Sequence, residues 1–214
     1  MTRYRAIALD VCGVLTTEKS VWQFLHERLG LWHGNAERYQ EDFLSGRISY
    51  RQFCEKDALL WRGKTLREME GIVSEIPYRS GIGDLFSLIE KRRLVPGLVS
   101  TGLSILTDRI AHEFSIPFSI ANRLLAREGF LTGEVEICVG HDGKGEALDS
   151  FARSLGVSPR EIIAVGDGES DIPMFEAAGF SIGMGERMRD YENKLHAVIG
   201  NDIAELVGAL RRIL

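Results

Sequence analysis

Nowhere does this chain carry the roughly 20 consecutive apolar residues that a membrane helix needs, and it has no low-complexity tract or internal repeat. The start, Met1-Thr2-Arg3-Tyr4-Arg5, leads into an apolar run too short for a secretory signal. Cysteine is scarce: Cys12, Cys54 and Cys138 are odd in number and lack metal-ligand spacing, which argues against a disulfide framework or a structural zinc site. Positive charge is not in excess either. With 26 Lys and Arg against 31 Asp and Glu, the net charge of -5 offers no basic field for nucleic acid or anionic lipid. These absences point to a soluble cytoplasmic protein, monomer or homodimer, whose partner is a small molecule.

At 214 residues the chain suits one full core plus a modest insertion. Short apolar runs end in polar or glycine residues at Ala6-Ile7-Ala8-Leu9, Gly97-Leu98-Val99 and Ile162-Ile163-Ala164-Val165, each with the pattern of a buried parallel strand. Between and after them, Leu103, Leu106, Ile110 and Phe114, then Leu148, Phe151 and Leu155, then Ile203, Leu206, Val207 and Leu210 recur near a 3.6 period. Strand alternating with helix predicts an α/β fold with a doubly wound, Rossmann-like parallel sheet. Two stretches interrupt the alternation. Residues 16–77 read as helical, with capping boxes opening at Ser49 and Thr65, and predict an inserted cap on a core of 1–15 and 78–214. Residues 123–139 predict a small hairpin turning at Glu128-Gly129 or Thr132-Gly133.

In an open parallel sheet, ligands collect beyond the carboxyl ends of the strands, where loops converge and helix N-termini point their N–H groups. Asp10, Ser100, Asp167 and Asp171 all fall at that edge. The segments Asp10-Val11-Cys12-Gly13-Val14-Leu15-Thr16, Val99-Ser100-Thr101-Gly102, Lys144 between two glycines, and Gly166-Asp167-Gly168-Glu169-Ser170-Asp171 resemble, in order and spacing, the haloacid dehalogenase superfamily and its phosphoserine phosphatase-like branch. The resemblance spans nearly the whole chain. It implies a Mg²⁺-dependent phosphatase in which Asp10 forms an aspartyl-phosphate, a chemistry carboxylates are known to support. It also implies Mg²⁺ held by Asp10, the Cys12 carbonyl and Asp167, with Asp171 orienting a metal-bound water. Phosphate would be bound by Ser100, Thr101, Gly102 and Lys144.

The pattern is broken in several places. The branch carries a second Asp two residues after the nucleophile as acid and base; here that residue is Cys12, a poor donor and a weak base. Asp57, on a helix face with Trp61, falls about where those enzymes bind the substrate carboxylate through an arginine. The acidic ligand of the substrate amino group would be Glu18, although the count from Asp10 lands on Lys19. Asp57, Trp61 and Glu18 are thus the candidate substrate contacts, and phosphoserine itself is disfavoured. A phosphotransferase or mutase, or a non-catalytic protein that binds a phosphorylated metabolite, remains an alternative. Cys54 and Cys138 are expected to fill the core, and the histidines to stay outside the mechanism.

Overall fold

A computed structural model describes residues 3–214; residues 1 and 2 of the expected 1–15 core segment lie outside the described residues. A seven-stranded sheet runs β4-β3-β2-β1-β5-β6-β7. Its strands are β1 (Ala6–Leu9), β2 (Val95–Leu103), β3 (Phe118–Arg127), β4 (Phe130–Glu136), β5 (Ile162–Gly166), β6 (Phe180–Met184) and β7 (Ala197–Ile199). All pairings are parallel except β3 with β4. Every residue of β1 is buried, because both faces of the sheet are covered. Ile7 and Leu9 join the larger core on one face, while Ala6 and Ala8 join Val99, Leu148 and Phe151 on the other. Small residues suit that second face: a Cβ on Gly97 would press against the Phe151 ring at 2.7 Å.

Between β1 and the helix α5 (Ile82–Lys91) come α1 (Val21–Arg28), α2 (Glu37–Leu44), α3 (Tyr50–Leu60) and α4 (Leu66–Val73). The insert leaves and returns at one place, since the Thr17 N–H donates to the Pro77 carbonyl at 3.3 Å and the Arg79 N–H to that of Leu15 at 2.9 Å. Ser49 closes a full capping box with Gln52 at the head of α3; at α4 only half of the expected box forms, with Thr65 accepting from the Glu68 N–H. The remaining helices are α6 (Ser104–Glu113), α7 (Lys144–Leu155), α8 (Ile172–Ala177) and α9 (Ile203–Ile213). No helix among the described residues is long and apolar enough to cross a membrane.

The predicted hairpin is β3–β4. Arg127 pairs with Phe130, leaving Glu128 and Gly129 as a two-residue turn with φ of 53° and 83°. Positive φ at both positions matches the twist of the strands, and glycine adopts it without steric cost. The hairpin also clasps the insert: the Gly63 N–H donates to the Leu131 carbonyl at 2.9 Å, the Leu131 N–H to that of Lys64 at 2.8 Å, and the Leu66 N–H to that of Gly129 at 2.9 Å. Cys138 follows β4 and is exposed, so it does not fill the core as the sequence suggests; Cys54 does. The chain has turned into the loop before α7 by that point, out of strand alternation.

Asp57 and Trp61 take a structural place in the insert. Trp61 is fully buried, stacks on Trp22 with ring centroids 5.4 Å apart, and its Nε1–H donates to His26 Nδ1 at 3.2 Å. Nδ1 therefore accepts, and the His26 proton sits on Nε2, which lies 3.3 Å from Asp57 Oδ1. That contact is poorly aligned, and neither atom finds a hydrogen bond. The ionisable neighbour of Asp57 is thus an interior histidine, while Arg51, the arginine of the same helix, pairs with Glu55. Replacing His26 by Ala removes a buried ring and strands the Trp61 N–H and the Asp57 carboxylate, so it should lower unfolding free energy by about 2–4 kcal/mol. Urea denaturation followed by tryptophan fluorescence measures this; a loss below about 0.5 kcal/mol, the range of surface substitutions, would contradict the structural role.

Candidate active site

Asp10 leaves β1 at the carboxyl edge of the sheet, beside β5, with its N–H donating to the Val165 carbonyl at 2.9 Å. Since β2 lies on one side of β1 and β5 on the other, this is the point where the strand order reverses and a crevice opens. Asp167 follows β5, Ser100-Thr101-Gly102 end β2, and Lys144 opens α7. The topology thus brings together four segments spread over most of the chain.

Lys144 organises the centre. Its side chain is buried, and Nζ donates to Asp10 Oδ1 at 2.6 Å and to Asp171 Oδ1 at 2.5 Å. The other Asp171 oxygen accepts from the N–H groups of Asp167 and Gly168, both at 3.0 Å. Burial would depress the Lys144 ammonium, but the two carboxylates more than reverse this and hold its pKa above the usual lysine range. Burial pushes the Asp10 carboxyl up to about 7, with Asp171 and Asp167 adding to the rise and Lys144 opposing it. Asp167 is pushed up to about 6, by burial first and then by Asp171, with Lys19 among the opposing charges.

The cluster therefore holds more negative charge than its one internal cation balances. Ligand oxygens of Asp10, Asp167 and Asp171 lie within 4.8 Å of one another. Hard oxygen donors with surplus charge fit a divalent cation such as Mg²⁺. Room is kept for it at Gly13, whose φ is 81° and where a Cβ would collide with the Asp167 carboxylate. Asp10, Asp167 and the Cys12 carbonyl have the donor chemistry to hold the ion. Asp171 belongs to the same cluster, yet both of its oxygens are already engaged, so it braces Lys144 and the Asp167 backbone.

Ser100 Oγ accepts from the Gly102 N–H at 3.0 Å. The cap position of α6 is Leu103, without a side-chain bond, so Ser100 shapes its own loop and does not cap the helix. The Thr101 carbonyl turns away and accepts from Tyr50 Oη at 2.6 Å, Asn122 Nδ2 at 2.9 Å and Trp22 Nε1 at 3.3 Å. Asn122 Oδ1 in turn accepts from the N–H groups of Cys138 and Val139, both at 2.9 Å. The loop that leads to Lys144 and two helices of the insert are thereby tied to the Ser100-Thr101-Gly102 segment. Sequence reasoning missed Trp22, Tyr50 and Asn122 as supports; an Asn in the middle of a strand was the available signal.

A cavity of about 180 Å³ opens on this centre, lined by Asp10, Cys12, Ser100, Thr101, Gly102 and Asp167 and, toward the insert, by Lys19, Trp22 and Arg187. Cys12 faces it as a neutral thiol: burial, with Asp10 adding to it, pushes its pKa up to about 12. The expected substrate contacts Glu18, Asp57 and Trp61 are not among the lining residues. The Glu18 carbonyl accepts from the Gly13 N–H at 2.8 Å and the turn presents the next residue, Lys19, instead.

The family profile for haloacid dehalogenase-like hydrolases matches residues 7–176. Phosphoserine phosphatase of Streptococcus thermophilus is 32% identical over 178 residues, 82% of this chain and 81% of that protein. Its counterpart in Methanocaldococcus jannaschii is 29% identical over 147 residues, 68% of this chain and 70% of that protein. Among solved structures, a substrate-bound phosphoserine phosphatase complex superposes with a TM-score of 0.83 at 24% identity, over 98% of this chain and 99% of the other, and establishes likeness of fold. The chain belongs to the haloacid dehalogenase-like hydrolases, on their phosphoserine phosphatase-like branch of phosphoric monoester hydrolases.

Proposed function

We propose that this protein hydrolyses a small phosphomonoester through an aspartyl-phosphate on Asp10, with Mg²⁺ held by Asp10, Asp167 and the Cys12 carbonyl, and that Cys12 attenuates the turnover. The observation that carries the reading is the Lys144 bridge, which holds one Asp10 oxygen at 2.6 Å beside the cavity; no protein donor reaches the second oxygen among the described residues. Bound there, Mg²⁺ would supply Lewis-acid neutralisation of the phosphate oxygens. The free oxygen of Asp10 attacks phosphorus, and the bond to the leaving alcohol breaks. Ser100 and the N–H groups of its loop orient the phosphate, while Lys144 balances charge as it moves. Residues 16–77 act as a cap over a core of 1–15 and 78–214, excluding water while Trp22 and Tyr50 engage the Thr101 carbonyl.

The acid–base step is where the chain departs from its branch. A thiol held near 12 can lend a proton to the leaving oxygen but offers no base to the attacking water. Hydrolysis of the aspartyl-phosphate is then the slow step, which also favours transfer to an added alcohol as the competing reading. Single-turnover release of phosphate compared with transfer to alcohol separates the two.

Asp10→Asn should abolish phosphomonoester hydrolysis, because an amide is a poor nucleophile and a weaker ligand for a hard cation. Release of phosphate from an aryl phosphate at near the parental rate would overturn the mechanism. Cys12→Asp should raise steady-state phosphate release by about 10²-fold, the usual value of positioned acid–base catalysis, and in single turnover should speed formation of the adduct more from alkyl than from aryl phosphates. An unchanged rate and leaving-group dependence would show that Cys12 does not limit the reaction.

The raised carboxyls give a signed pH dependence. A carboxyl whose folded pKa lies above its unfolded value contributes stability below the unfolded pKa, and loses it as pH rises through the folded one, here about 6 for Asp167 and about 7 for Asp10. Mg²⁺ competes with those protons, so the rise in Tm on adding Mg²⁺ should be larger near pH ~7.5 than near pH ~5.5. Differential scanning fluorimetry at both pH values measures it; an equal or smaller rise at the higher pH would contradict a metal site built on these carboxylates.

A further inference from the structure

The cavity that opens on Asp10 carries two cationic side chains in its lining. Lys19 reaches the lining from the turn before α1 and Arg187 from the segment after β6. Both are exposed, and neither forms a salt bridge among the described residues. Of the neighbouring polar groups, Ser20 accepts from the Gln23 N–H as the cap of α1, and Trp22 Nε1 donates to the Thr101 carbonyl. The acidic residues lining the cavity are Asp10 and Asp167, which face the reacting phosphate.

Resting on the phosphatase reading above, we infer that Lys19 and Arg187 form a subsite for an anionic leaving group. The substrate would be a small phosphomonoester whose alcohol carries a carboxylate or a second phosphate and no ammonium. An ammonium placed here would meet two cations and find no free carboxylate, whereas an anion would gain two charge-assisted hydrogen bonds at the mouth of a cavity of about 180 Å³. Two cations without a salt bridge in the lining of one small cavity are also the arrangement that steers anionic substrates inward.

The test compares kcat/KM for two-carbon esters that differ in one group: ethyl phosphate, phosphoethanolamine, phosphoglycolate and ethylene glycol bisphosphate. The preference of the parent enzyme for the carboxylate or bisphosphate over ethyl phosphate should be about tenfold or more, with phosphoethanolamine slowest. Which of the two anions leads identifies the group the subsite holds. Lys19→Ala and Arg187→Ala should each shrink that preference, mainly through KM, and Lys19→Glu should raise phosphoethanolamine relative to ethyl phosphate. In parallel, calorimetry on Asp10→Asn with Mg²⁺ should give tighter binding of phosphoglycolate or the bisphosphate than of ethyl phosphate, a ranking that stands even if hydrolysis fails. Preference for phosphoethanolamine, or a ranking unmoved by all three substitutions, would overturn the subsite. Absence of Asp10-dependent hydrolysis of any ester, an aryl phosphate included, would overturn the phosphatase reading, and the calorimetric ranking would then decide the subsite alone.

Discussion

A buried lysine spanning two aspartates holds the centre of this protein together. Lys144 reaches Asp10 at 2.6 Å and Asp171 at 2.5 Å, and Asp171 grips the backbone at Asp167 and Gly168. Through one ammonium, the end of β1, the start of α7 and the turn after β5 become a single unit. Burying such a group is unfavourable unless its partners are well placed, so the surrounding strands must deliver both carboxylates to it accurately. The fully buried strands β1 and β5 do so, because their register leaves little freedom to the residues that follow them.

That unit remains short of positive charge, and the shortage accounts for much of the chemistry. Asp10 and Asp167 are both pushed upward by burial and by their acidic neighbours. A divalent cation would offset that shortage and leave the ammonium and the metal to face an incoming phosphate, which is why the cluster makes sense as a site and poorly as mere structural support. The support comes from elsewhere. Asn122 uses its amide to tie Tyr50, Thr101 and the backbone at Cys138 and Val139 into one network, so the Ser100-Thr101-Gly102 segment keeps its shape without a capping side chain.

The sheet core was legible in the sequence, since short apolar runs ending in Asp, Ser or Gly describe parallel strands whose loops carry function. So were Asp10, Ser100, Asp167 and Asp171 as one constellation at the carboxyl edge of those strands, whereas Lys144 was reached only through the family resemblance. The hairpin was legible too, though the sequence offered Thr132-Gly133 as well as the Glu128-Gly129 turn that the chain takes. The surroundings of Asp57 and Trp61 were not legible. Helical spacing places Asp57 and Trp61 on one face, but it does not say whether that face meets the cavity or the interior; burial against Trp22 and His26 decided for the interior. Arg187 reaches the cavity from a segment distant in sequence, and no local pattern marks such a residue.

The identity of the phosphorylated group is the most direct test of the whole arrangement. Acid-quenched turnover with an aryl phosphate, followed by peptide mapping, should find one phosphoryl group on the peptide that contains Asp10, acid-stable and labile to base. The adduct should accumulate in the parent protein because water activation is slow. A phosphoryl group on another residue, or hydrolysis with no covalent adduct under any quench, would contradict Asp10 as the nucleophile that Lys144 holds in place.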